Sequence, residues 1–134
     1  MTDSNVFPDG CGILMPLAGG NPSIDEMGSK DAPVNAWFWR ADDEDVARNV
    51  VAQGLGTTES TERSPIRARA KWGQGAWAVV FARALAVPEQ KSETVQLAAG
   101  TSVQVAFAVW EGSNGERGGI KSFSKEWRTL TLEA

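Results

Sequence analysis

Short apolar runs of period two, separated by glycine- and asparagine-rich breaks, organise this chain. Alternation of this kind marks strands, because successive side chains of an extended backbone point to opposite faces. The clearest run is Ala76–Leu85, with Trp77, Val79, Phe81, Arg83 and Leu85 on one face and alanines around Val80 on the other. Val103–Trp110 repeats the design: Val103, Val105, Phe107 and Val109 oppose Gln104, Ala106, Ala108 and Trp110. Val34–Ala41 sets Asn35, Trp37 and Trp39 apart from Ala36 and Phe38, and Gly12–Leu17, Trp127–Leu132 and Thr94–Leu97 are shorter candidates. The polar stretch from Asp42 to Thr61 holds one helical expectation. Asp45–Gln53, with Val46, Val50 and Val51 turned inward, reads as one or two turns ended by Gly54. Gly10, Gly12, Gly19, Gly20, Asn21 and Pro22 break the first part, and Gly112–Gly119 (GSNGERGG) reads as a long hairpin loop.

Many short strands, long loops and at most a short helix predict an all-β antiparallel sandwich. No linker or repeat divides residues 1–134, so one domain is expected. About six strands is few for such a fold, and its inner faces would need covering by another chain or a further segment. In both main strands the face opposite the bulky one is lined with alanine. A second layer packed tightly there, or a flat ligand lying close to the backbone, would each suit that pattern.

Composition narrows the chemistry. The 13 Lys+Arg against 17 Asp+Glu give a net charge of −4, and no basic block offers a footprint for nucleic acid or an anionic membrane. No apolar run reaches the roughly 18 residues of a membrane helix. Thr2, Asp3, Ser4 and Asn5 do not make the charged-then-apolar opening of an export signal. His is absent and Cys11 is the one cysteine, which excludes His-based catalysis, bis-His haem, CxxC zinc sites and covalent CxxCH haem. Six Trp and five Phe suggest an aromatic pocket, a contact surface or a Trp-rich core.

Asp42, Asp43, Glu44 and Asp45 read as a solvated loop, and Cys11 without a His partner reads as a buried structural thiol. The GSNGERGG glycines fit neither a P-loop nor a dinucleotide fingerprint. Met27 is different: an apolar side chain inside NPSIDEMGSKDAPVN needs somewhere to go. It could plug the end of the sandwich or serve as a thioether ligand to haem iron. Lys121, after Gly118 and Gly119, is by itself an ordinary exposed lysine.

Three segments in order carry a family resemblance. VQVAFAVWEGSNGERGGIKSFSKEW (Val103–Trp127), MGSKDAPVNAWFWRA (Met27–Ala41) and WGQGAWAVVFARAL (Trp72–Leu85) resemble the haem b subunits of type II molybdenum enzymes. These are the gamma subunits of ethylbenzene dehydrogenase, dimethyl sulfide dehydrogenase, selenate reductase and chlorate reductase. The resemblance spans about residues 7 to 134. It corresponds to the carboxy-terminal two-thirds of the family domain, and early sandwich strands are expected to be lacking.

The resemblance implies one haem b between axial Met and Lys ligands, which fall on Met27 of EMGSK and Lys121 of GGIKS, with Lys125 as the alternative to Lys121. Trp37, Trp39 and Trp77 are candidate pocket walls, and Arg83 and Arg117 candidate partners for the haem propionates. With both axial positions filled, the implied role is electron relay and not catalysis. Its partners would be an iron–sulfur beta subunit, a molybdenum alpha subunit and a soluble cytochrome or similar carrier. The implied location is the periplasm.

Overall fold

The computed structural model describes residues 8–116 and 121–134. Among them lie nine strands: β1 (Gly10–Pro16), β2 (Val34–Arg40), β3 (Ala47–Ala52), β4 (Glu59–Ser60), β5 (Arg67–Gly73), β6 (Ala76–Ala82), β7 (Ser102–Trp110), β8 (Ser122–Phe123) and β9 (Arg128–Thr131). The only helical pieces among the described residues are 3-10 turns at Ala41–Asp43, Pro88–Gln90 and Gly112–Asn114. The main sheet runs β4-β3-β2-β1-β7-β8, with β9 also paired to β7, and β5–β6 form a separate hairpin. All strand ladders are antiparallel, as the alternation predicts.

Register sorts the side chains into two layers. Leu14 lies between Ala36 and Ala106, and Ala36 pairs onward with Val50. These four join Val34, Ala52 and Ala108 with Ile24 and Met27 of the β1–β2 loop in one apolar cluster. The opposite face buries Met15, Val105 and Leu97. There the β5–β6 hairpin closes over β2: Trp77 meets Trp39 edge-on at 5.0 Å, and Phe81 meets Trp37 at 6.3 Å.

A buried polar knot ties the elements together. The Asn35 amide donates to Asn49 Oδ1 at 2.8 Å and to the Val50 carbonyl at 3.0 Å. Its own oxygen accepts from Val95 N–H at 3.0 Å. Asn49 in turn donates to the Glu93 carbonyl at 2.8 Å. Both asparagines have no exposed surface, so each bond replaces one that water would otherwise make.

Three expectations are corrected. Residues 45–53 hold no helix; Ala47–Ala52 is β3. This strand is covered on both sides, Ala47 and Asn49 facing one way and Val50 and Ala52 the other, which erases the period-two signal. Thr94–Leu97 pairs with no strand ladder, and is held by Asn35 and by the Leu97 N–H bond to Leu85 at 2.8 Å. The alanine face of β6 does not look into the molecule: Ala76, Ala78 and Ala82 are exposed, while Trp77, Val79 and Phe81 pack inward.

Candidate functional site

On the face of the main sheet away from the hairpin lies a cavity of about 640 Å³. Its floor is β1 and β2, which contribute Gly10, Gly12, Leu14, Ala36 and Phe38. The glycines keep this floor low. A Cβ at Gly10 would stand 3.0 Å from the Trp39 carbonyl and within 3.6 Å of Phe38 and Trp110; one at Gly12 would stand 3.1 Å from the Trp37 carbonyl. Phe38 and Trp110 brace one another edge-to-face at 5.1 Å and form an aromatic wall. Val50, Leu55, Gly56 and Thr58 close another side. The alanine face of β7 is buried beneath this layer, with Ala106 and Ala108 in the cluster that contains Met27.

Met27 lines the cavity from the β1–β2 loop and is nearly buried. Its backbone is left-handed, φ 59°, and Gly28 follows at φ 79°. For a residue with a Cβ this conformation costs about 1–2 kcal/mol. The surroundings hold it there. Met27 N–H donates to Ile24 O at 3.2 Å, Gly28 N–H to Ser23 O at 2.8 Å, and Gly54 N–H donates to Met27 O at 3.1 Å. Gly28 is required: a Cβ there would come within 2.5 Å of the Ala32 carbonyl oxygen.

Lys121, 94 residues further along (121 − 27), lines the same cavity. Its ammonium lies 5.8 Å from the Trp110 ring centre and 5.5 Å from that of Phe123. Burial pushes its pKa below the usual lysine range, against a smaller opposing pull from Asp25. The cavity therefore joins a nearly buried thioether to an amine that burial makes easier to deprotonate, across apolar and aromatic walls.

The other residues singled out from the sequence lie elsewhere. Trp37 and Trp39 point from β2 to the opposite face, against Phe81 and Trp77. Trp39 is buried and donates to the Glu44 carbonyl at 2.9 Å. Arg83 stacks on Trp37 at 5.1 Å and donates to the carbonyls of Ala84, Leu85 and Val95. None of these, nor Trp77, lines the cavity. Lys125 lines a separate shallow pocket with Asp25, Phe123 and Trp127. Arg117 lies outside the described residues.

Sequence reasoning passed over Arg40, which does line the cavity. The signal was present, since Arg40 continues the even-numbered face of Val34, Ala36 and Phe38. Glu116 also reaches the cavity, but its carboxylate accepts from Asn114 Nδ2 and from Glu111 N–H, both at 3.0 Å, which holds its pKa below the usual range.

Comparison with known proteins places the chain. The sequence profile of the ethylbenzene dehydrogenase family matches residues 51–122, more than half its length. The chain belongs to this family. A Haloferax mediterranei protein named as a respiratory nitrate reductase heme subunit is 39% identical over 122 residues, covering 90% of this chain and 42% of that protein. The chlorate reductase gamma subunit of Ideonella dechloratans is 34% identical over 131 residues, 97% of this chain and 53% of its own. The dimethylsulfide dehydrogenase gamma subunit of Rhodovulum sulfidophilum is 30% identical over 129 residues, 90% of this chain and 46% of its own. The chain thus spans about half the length of the curated relatives it matches.

Proposed function

We propose that this family member is a haem b-binding electron-transfer module, with Met27 and Lys121 as the axial pair, that serves a periplasmic molybdenum oxidoreductase complex. The observation that carries the proposal is the meeting of these two side chains, 94 residues apart in sequence, at one apolar cavity. The printed names of the relatives, a heme subunit and two gamma subunits of reductase and dehydrogenase complexes, support the same reading. So does the donor set, because a chain with no His and one Cys has few other ways to hold a haem iron.

The residues present fit the group. Gly10 and Gly12 leave a floor against which a flat ring can lie, and Phe38 and Trp110 offer an aromatic wall. Bound haem supplies one-electron redox chemistry, and thioether ligation favours a high potential. The rest of the work falls to the chain. The locked turn at Met27 presents the sulfur without the entropy cost of ordering a mobile loop. Lys121 must shed the proton that a free lysine keeps up to a pKa of about 10.4, and desolvation helps it to do so. The apolar walls keep water from the ligand atoms. Electrons would pass between an iron–sulfur beta subunit beside a molybdenum alpha subunit and a soluble cytochrome or similar carrier.

A haem-free carbohydrate-binding or structural module is the competing assignment. A sugar platform needs Trp37, Trp39 and Trp110 on one open face, but Trp39 is 1% exposed and Trp110 braces Phe38 on the opposite side of the sheet. Reconstitution with haem tests the proposal. The chain is expected to give a low-spin Soret spectrum, and Met27→Ala or Lys121→Ala to lose it. A spectrum no different from free haem would refute haem binding, and an unchanged low-spin spectrum in either variant would refute that ligand.

A further inference from the structure

Among the described residues, three charged side chains reach the cavity: Arg40, Glu116 and Lys121. The Glu116 carboxylate is occupied by its own loop, and Lys121 is assigned above to the metal. Among the described residues, Arg40 remains as the cation available to an anionic part of a ligand. It closes β2 directly opposite Gly10, at the edge of the cavity floor, and its side chain is 42% exposed. The floor and the aromatic wall of the cavity are apolar, so a ligand with carboxylates has reason to turn them towards this rim.

The guanidinium is oriented in advance. Its Nε donates to Asp42 Oδ1 at 3.0 Å and its Nη2 to Asp42 Oδ2 at 2.6 Å, a two-point clamp within one turn of chain. An arginine carries five N–H groups. Two serve Asp42, and the others can serve a second acceptor. The clamp fixes the planar fork, so less side-chain entropy is lost when a further carboxylate binds.

We infer that Arg40, held by Asp42, is the residue that recognises the carboxylate edge of the tetrapyrrole at the cavity rim and so sets its orientation. The inference rests on the haem reading proposed above. Arg40 is a positioning and specificity residue: it leaves the axial ligands alone and selects for the ligand's acid groups.

The test compares iron protoporphyrin IX with its dimethyl ester, binding each to the full chain and reading the Soret band and its titration midpoint. The unaltered chain is expected to bind the diacid about tenfold tighter than the ester, the size of one charge-assisted hydrogen bond at a partly wet site. Arg40→Leu should remove most of that preference while the low-spin spectrum persists. Arg40→Gln, which keeps the stem and a hydrogen-bonding head but not the charge, should also lose most of the preference; it serves as the second variant if Arg40→Leu is poorly folded, and an undiminished preference in it overturns the inference equally. Equal binding of diacid and ester by the unaltered chain overturns the inference, as does an undiminished preference in Arg40→Leu. If neither porphyrin gives a low-spin spectrum with the unaltered chain, the haem reading itself fails, an outcome distinct from loss of selectivity alone.

Discussion

Replacing Asn35 by Leu should test how the polar knot behind the cavity holds the sheet together. The substitution removes three hydrogen bonds. Two partners then lose their bond, the Oδ1 of fully buried Asn49 and the N–H of half-buried Val95. An unsatisfied buried donor or acceptor costs roughly 1–3 kcal/mol, so a loss of about 3–4 kcal/mol is expected. With a urea slope of about 2 kcal/mol/M, typical for a small domain, the unfolding midpoint should fall by roughly 1.5–2 M. Because Asn35 and Asn49 act as one unit, the double alanine variant should cost clearly less than the two single changes added together. Asn35 faces away from the cavity, so haem loaded at low temperature should keep its spectrum. A loss under about 1 kcal/mol, or strict additivity of the two alanine changes, would refute this account.

Gly28→Ala forces a Cβ against the Ala32 carbonyl at a left-handed backbone position, and should cost at least about 2 kcal/mol in urea unfolding while displacing Met27 from the cavity. Lys121 has its folded pKa depressed below the unfolded value, so the folded chain holds that proton less tightly. Stability of the haem-free chain should therefore rise with pH through the window from the lowered folded pKa to the unfolded value near 10.5, and Lys121→Met should flatten that rise in alkaline melts. On the proposed lysine ligation the same proton competes with the iron, so acid should turn the spectrum of the haem-loaded chain high-spin before the protein unfolds; a spectrum unchanged up to unfolding would refute lysine ligation. Burial pushes the Cys11 thiol pKa up, so it should react with thiol reagents far more slowly in the native chain than in urea.

The strands that alternate cleanly were legible in the sequence, and the ones that do not were lost. Val34–Arg40, Ala76–Ala82 and Ser102–Trp110 each have one face unlike the other, and the expected runs match them to within a few residues. β3 is buried on both sides and imitates a helix through its valine spacing, while β5 alternates basic residues with alanine and carries too little apolar character to register. Face assignment was harder than strand assignment. The bulky side of β7 leaves Phe107 and Val109 about half exposed, and its alanine side lies under the cavity, a reversal that periodicity alone cannot predict. Met27 stood out because its loop is otherwise polar. Lys121 did not stand out by itself, since its partial burial depends on Trp110 and Phe123 brought in by β7 and β8. Arg83, a candidate propionate partner by its charge alone, lies away from the cavity, where its Nε and Nη2 donate to three backbone carbonyls, contacts that sequence cannot show.

The position of β1 between β2 and β7 has a consequence for biogenesis. Gly12 faces Ala108 across a ladder that closes 96 residues later (108 − 12), so the middle of the sheet is a long-range pairing of the kind that forms slowly. A ribosome-bound chain that has not yet delivered β7 has neither the strand that carries Trp110 nor the Lys121 that follows it. On the haem reading proposed above, loading of the pigment must therefore wait until the ribosome has delivered residues as far as Lys121.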